Sequence, residues 1–214
     1  DPYILFGDYY LVINKYKKSL NFFESALNIS LKNNNKKHVA TSLNGIGKIY
    51  YLNGKFDKAL KYYNKALQIW NKINHCLGKA DTLNLIGSIH DYNGRHDKAL
   101  KYYQDAYNEY LNADYKTGQC KTSFNIANVF STMGEVKKAL KYQEISFNLS
   151  TKTKNSVMLG YNYNLRGIIY SNTLQPQEAY ELFKKSLTIR KALNDQEGIA
   201  TLHRNIGVVY LQMG

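Results

Sequence analysis

One spacing constrains this chain more than anything else in it: 40 residues. Gly47, Gly87, Gly167 and Gly207 fall on a common 40-residue frame, with Ala127 in the remaining slot. Three residues downstream stand Tyr50, His90, Phe130, Tyr170 and Tyr210, and seven downstream stand Gly54, Gly94, Gly134 and Gly214, with Leu174 as the exception. Further columns follow at Ala59, Ala99, Ala139 and Ala179, at the pairs Phe22-Phe23, Tyr62-Tyr63, Tyr102-Tyr103 and Leu182-Phe183, and at Ala26, Ala66, Ala106, Ser146 and Ser186. A fixed period of this length means stacked copies of one small unit, none of which can bury its apolar stripe alone.

Each unit reads as two helices. Ala40, Leu43, Ile46, Gly47 and Tyr50 follow the i, i+3, i+4 spacing of one helix face. Gly54 predicts the helix stop, because glycine takes left-handed geometry without a Cβ penalty. Asp57 opens a second helix, where a carboxylate meets the positive end of the helix dipole. Ala59, Leu60, Tyr63, Ala66 and Leu67 form its stripe. Pro176 occupies the helix-start slot held elsewhere by Phe56 and His96, a position that needs no amide hydrogen. The small residues predict close helix crossings, with the aromatic columns at 50 and 63 filling the space between.

These columns resemble the tetratricopeptide repeat, whose pattern W-x2-L-G-x2-Y is followed by A-x3-F. Here Leu43-x2-Ile46-Gly47-x2-Tyr50 precedes Ala59-x3-Tyr63 and Ala66, and Leu83-x2-Ile86-Gly87-x2-His90 precedes Ala99-x3-Tyr103 and Ala106. The period of 40 exceeds the usual length of about 34. This is similar to the long-repeat branch, as in kinesin light chains and bacterial peptide-sensing regulators, with the extra residues expected around Trp70 to Lys79. The resemblance implies an all-α, right-handed superhelical solenoid of antiparallel helix pairs. The units are expected at about 1–39, 40–79, 80–119, 120–159 and 160–199, with a partial unit at 200–214. It also implies a non-catalytic scaffold whose first helices line a concave groove for a protein or extended peptide. Because neither end carries a capping repeat, the chain is expected to be a fragment of a longer protein. Two alternatives follow from that: a sensor arm of a signalling protein whose kinase, cyclase, protease or DNA-binding effector lies elsewhere, and a homodimer through the uncapped ends.

The groove positions read Asn44, Lys48, Asn84, Ser88, Lys121, Asn125, Asn128, Asn164, Arg204 and Asn205. Asparagine offers two donors and an acceptor, which suits the backbone of an extended peptide. Against this, the chain is Asn-rich throughout, as at Asn33-Asn34-Asn35, so some groove Asn follows from composition alone. Lys48, Lys121 and Arg204 resemble the cations of a carboxylate clamp, but they lack its spacing, and Asp81 and Asp91 stand between them.

Charge comes next. The chain of 214 residues carries 29 Lys+Arg against 16 Asp+Glu, a formal +13, which raises the question of nucleic acid. Much of the regular lysine lies in two columns, Lys18, Lys58, Lys98, Lys138 and Lys61, Lys101, Lys141, off the apolar stripe of the second helix. A basic ridge for phosphates is one reading; a solvated helix face is the expected one, since lysine is a good helix former and arginine is scarce. Nucleic acid is therefore not expected as the partner.

Other chemistry is thin. The five His and two Cys show no ligand spacing, so no metal or other cofactor is expected. There is no phosphate loop or nucleophile elbow. Asn28-Ile29-Ser30 and Asn148-Leu149-Ser150 match the glycosylation sequon but fall on predicted helices. No stretch is apolar for long enough to span a bilayer and the N-terminus shows no signal peptide, so the expected location is cytoplasmic.

Overall fold

The computed structural model describes residues 1–214 and contains helices only. In chain order they are α1 (Pro2–Val12), α2 (Tyr16–Lys32), α3 (Lys36–Leu52), α4 (Phe56–Lys72), α5 (Cys76–Tyr92), α6 (His96–Asn112), α7 (Lys116–Thr132), α8 (Val136–Lys152), α9 (Ser156–Asn172), α10 (Pro176–Ala192) and α11 (Gln196–Met213). They form two compact units, Asp1–Asp114 and Tyr115–Gly214. The all-α architecture of sequential antiparallel helix pairs is the one the 40-residue period predicts.

The helices from α2 to α10 are each 17 residues long and joined by three-residue turns, so the chain repeats structurally every 20 residues. At every turn one residue has positive φ: Asn14, Asn34, Gly54, Asn74, Gly94, Asp114, Gly134, Lys154, Leu174 and Asn194. The turns share one hydrogen-bond pattern. The amide of Lys55 reaches the carbonyl of Tyr50 at 2.9 Å, and that of Gly54 reaches Tyr51 at 2.9 Å; His75 and Asn74 repeat this with Trp70 (3.1 Å) and Asn71 (3.3 Å). This is the Schellman closure, and it satisfies the last carbonyls of each helix. Gly54 stops its helix as expected. Four asparagines, Asn14, Asn34, Asn74 and Asn194, stand at these positions, since Asn is among the non-glycine residues enriched in left-handed geometry. The stretch from Trp70 to Lys79 holds no long loop: it is the last turn of α4, a three-residue turn, and the first turn of α5.

Caps distinguish the two helices of a pair. The odd-numbered helices α3, α5, α9 and α11 begin at Asn35, His75, Asn155 and Asp195, whose side chains accept from the amides of His38, Gly78, Met158 and Gly198. Helices α4, α6, α8 and α10 have no side-chain cap. Three of them begin with an acidic first turn at Asp57, Asp97 and Glu178, which complements the dipole.

Within each pair an aromatic ring lies on a glycine. Tyr63, Tyr103 and Phe183 are almost fully buried, and a Cβ added at Gly47, Gly87 or Gly167 would fall 2.5, 2.7 or 2.6 Å from the corresponding ring. The fourth unit departs from this pattern on both sides of the contact: Ala127 stands in the glycine slot and the fully buried Gln143 in the aromatic slot. The 50 column packs as predicted. Tyr50 stacks on Tyr62 (5.4 Å, 13°), His90 on Tyr102 (5.3 Å, 9°) and Phe130 on Tyr142 (5.8 Å, 26°). Cys120 is buried at the position equivalent to the buried Ala40 and Ala80, its Sγ 3.3 Å from the Ser146 carbonyl, and burial pushes its thiol pKa up.

Curvature follows from which helices touch. In the first unit α1 meets α3 and α3 meets α5, whereas α2 does not meet α4 nor α4 meet α6; in the second, α7 meets α9 and α9 meets α11, whereas α8 does not meet α10. The odd-numbered helices are therefore the closely spaced inner layer of each unit.

Candidate functional site

The inner helices carry all ten groove residues singled out in the sequence. In the first unit Asn44 and Lys48 lie on α3, and Asn84 and Ser88 on α5. In the second, Lys121, Asn125 and Asn128 lie on α7, Asn164 on α9, and Arg204 and Asn205 on α11. Lys48, Lys121, Asn128 and Arg204 are exposed, and the other six are half-buried. Several of the half-buried ones join one helix pair to the next. Asn44 Nδ2 donates to Thr82 Oγ1 at 2.7 Å across α3 and α5, and Asn205 Nδ2 donates to Asn164 Oδ1 at 3.0 Å across α9 and α11. Ser88 Oγ donates to the Asn84 carbonyl at 3.0 Å and accepts from the Tyr103 hydroxyl at 3.2 Å. The Asn44–Thr82 and Asn205–Asn164 bonds thus tie successive inner helices together.

The first unit holds a cleft of about 320 Å³ whose lining includes Asn44, Lys48, Asp8, Asp81, Leu77 and Leu85. Its floor is made by two rings seated on glycines: Phe23 on Gly45 and Trp70 on Gly78, where added Cβ atoms would fall 2.4 and 2.5 Å away. Burial pushes the Asp8 carboxyl up, against the lowering effect of the nearby Lys48 ammonium. With Lys37 also present, two cations and two carboxylates share the cleft. It carries no net formal charge, so it selects for no strongly charged ligand.

In the second unit a smaller cleft of about 190 Å³ is lined by Tyr161, Asn164, Arg190, Asp195 and Thr201 among others. Arg190 is 4% exposed. Its guanidinium lies 3.8 Å from the centre of the Tyr161 ring and bonds to Asp195. The Gly198 amide (2.9 Å) and then Arg190 hold the Asp195 carboxyl below its ordinary range. The charge of Arg190 is therefore largely spent on its own turn.

Trp70 and Arg190 belong to one column, Ser30, Trp70, Tyr110, Ser150 and Arg190, at the last turn of successive second helices; every member is at least 96% buried. Sequence reasoning placed the groove on first helices alone and missed this column. Its signal is uniform spacing combined with changing chemistry, which marks positions that fit each cleft individually.

The lysine columns stand where the sequence put them. Lys18, Lys58, Lys98, Lys138, Lys61, Lys101 and Lys141 are all exposed on the even-numbered helices. Part of this column has a packing role: Lys58 lies over the Tyr50 ring at 5.6 Å and Lys138 over Phe130 at 5.3 Å, within cation–π range. No group of three His, Cys, Asp or Glu is assembled that could hold a metal. No helix is long and apolar enough to cross a membrane. The two sequons lie on α2 and α8 with Ser30 and Ser150 buried.

The repeat architecture is similar to that of tetratricopeptide repeat proteins. Residues 38–112 match the model of the tetratricopeptide repeat family, and solved structures with the same repeat architecture extend the likeness along the chain. BtubC (BKLC) from P. vanneervenii superposes with a TM-score of 0.78 at 16% identity, over 93% of this chain and 84% of that one. The repeats of a putative kinesin light chain from Podosopora anserina give 0.68 at 15% identity, over 90% and 95%. A Rap protein solved in complex with competence and sporulation factor gives 0.72 at 14% identity, over 96% of this chain, which spans 62% of the Rap chain. At these identities the likeness is one of fold. No curated protein matches the chain by sequence.

Proposed function

We propose that the chain is a non-catalytic peptide-binding scaffold, with an extended segment of a partner protein held against its inner helices. The observation that carries this reading is the placement of Asn44, Lys48, Asn84 and Ser88 in the first unit, and of Lys121, Asn125, Asn128, Asn164, Arg204 and Asn205 in the second, on the inner layer. The outward layer is instead covered by exposed lysine. An extended peptide exposes one amide donor and one carbonyl acceptor per residue, and carboxamide side chains can meet both. The fold relative solved with competence and sporulation factor is consistent with capture of a separate factor by this architecture.

The test is a fluorescence-polarisation screen of N-acetylated, C-amidated randomised pentapeptide sublibraries against the intact chain and against the triple variant Asn84→Ala, Asn125→Ala, Asn164→Ala. Circular dichroism would check that both remain helical. Binding that falls at least tenfold in the folded variant supports the groove. Unchanged affinity removes it.

A further inference from the structure

Two residues of the first unit each carry a buried polar atom with no partner: the side-chain oxygen Oδ1 of Asn44 and the indole nitrogen Nε1 of Trp70. Both residues line the 320 Å³ cleft. A buried donor or acceptor left unmade costs its full desolvation, so such atoms call for an explanation.

The hydrogen bonds around Asn44 fix what it offers. Thr82 is fully buried, and its hydroxyl donates to the Gly78 carbonyl at 2.7 Å. Its single proton is used there, so toward Asn44 the hydroxyl oxygen can only accept. Asn44 must then present its NH2 to Thr82, at 2.7 Å. The amide cannot be flipped, and Oδ1 is left as a committed acceptor. Trp70 is equally fixed. Its ring is seated flat on Gly78 and packs against His75 at 4.9 Å, and His75 Nδ1 accepts from the Gly78 amide at 3.0 Å. An indole nitrogen can only donate. One rigid donor and one rigid acceptor therefore share a cleft that is otherwise apolar where Phe23, Leu77 and Leu85 line it.

We propose that the cleft between α3 and α5 reads one main-chain amide unit of an extended peptide. The indole N–H of Trp70 donates to a peptide carbonyl, Asn44 Oδ1 accepts from a peptide amide, and an uncharged apolar side chain of the peptide lies against Leu77 and Leu85. This rests on the peptide-scaffold reading and deepens it by adding a residue of a second helix, Trp70, to the site. The ligand class follows from the chemistry. At Asn44 Oδ1 a carboxylate would face an acceptor and at the indole a cation would face a donor, while the balanced charges of Lys37, Lys48, Asp8 and Asp81 favour neither ligand. The peptide group supplies both complements at once. The cleft's volume lies at the lower end of ligand sites, which fits a segment of one or two residues rather than a folded domain.

Trp70 is the only tryptophan in the chain, so its indole gives a single 15N–1H resonance that needs no mutation to report. The 15N-labelled chain would be titrated with the best of the capped pentapeptide sublibraries. The expected result is a downfield shift of the indole proton on saturation. Trp70→Phe, which keeps a ring on Gly78 but lacks the N–H, should weaken the peptide at least fivefold. N-methylation of the peptide amide that faces Asn44 should weaken binding to the native chain and cost nothing further in Asn44→Ala. An unmoved indole resonance with shifts confined to the second unit would overturn this site while leaving the scaffold reading intact. Absence of binding by every sublibrary would overturn both. If Trp70→Phe fails to fold, the native indole resonance and the N-methylated peptide still decide the matter.

Discussion

The ring of Tyr103 lies across Gly87, with Cδ1 and Cε1 each 2.7 Å from the point where a Cβ would stand. The ring is 2% exposed, its hydroxyl donates to Ser88 Oγ at 3.2 Å, and burial holds its phenol well above the ordinary range. Neither the ring nor the helix crossing beneath it can shift without disturbing its bond to Ser88. Gly87→Ala should therefore destabilise the first unit by about 1–3 kcal/mol, the range for overpacking a close-packed core. The effect is opposite to that of the same change in an exposed helix, where alanine is favoured by about 1 kcal/mol. Urea unfolding followed by circular dichroism distinguishes the two signs.

Ala127 and Gln143 form the fourth version of this contact, and they differ from the others together. The smaller side chain over the slot leaves room for the alanine methyl. Gln143→Tyr alone should be destabilising, because the ring would meet the Ala127 methyl. Gln143→Tyr with Ala127→Gly should recover the native arrangement of the other pairs. The coupling in a double-mutant cycle should be of order 0.5–3 kcal/mol in favour of the double variant. Additive effects would show that the two positions do not share the space.

Leu174 holds a left-handed φ of 56° with 83% of its surface exposed. Its side chain gains little from burial while its backbone carries a cost of about 1–2 kcal/mol for a non-glycine residue. Gly54, Gly94 and Gly134 fill the equivalent turns. Leu174→Gly should stabilise the second unit by about 1 kcal/mol and raise its thermal midpoint; a lower midpoint would show that the leucine side chain is used.

His90 is buried against Tyr102, with Nδ1 unpartnered. Burial, followed by the charges of Arg95 and Lys98, pushes its pKa below the ordinary 6.5. The unfolded chain thus binds the proton more readily than the fold does. This contribution to stability is complete above pH 6.5 and is lost as the pH falls through the lower folded value. Tyr50 and Tyr170 occupy the same column, so His90→Tyr should fit. Thermal midpoints at pH 7.5 and 5.5 should differ less in His90→Tyr than in the native chain; an equal difference would place the pH dependence elsewhere.

Much of the fold was legible because the repeating residues act through sterics. Gly47 with Tyr63, Gly54 at the stop and Pro176 at a helix start each announce their geometry by residue type. The 20-residue structural period was less legible. Asn34, Asn74, Asp114, Lys154 and Asn194 share left-handed φ, but that geometry excludes few residue types strictly, so the column does not repeat in sequence. The layout of the candidate groove residues was half legible. Asn44 and Asn164 could be placed on the inner helices by phase, but their partners Thr82 and Asn205 depend on how one pair stacks on the next. Trp70 was hidden by its resemblance to ordinary core, since a buried aromatic on an apolar stripe reads as packing unless the polar atom is followed.

The placement of the ligand on the inner helices is tested most directly by mapping backbone amide shifts of the 15N-labelled chain with a bound capped pentapeptide. The account predicts changes concentrated at inner-layer positions, at Asn44, Lys48, Asn84 and Ser88 or at Lys121, Asn125, Asn164 and Asn205. The amides of Lys58, Lys61, Lys98 and Lys101 should stay unmoved. Changes confined to those outer lysines, with the inner helices silent, would contradict it.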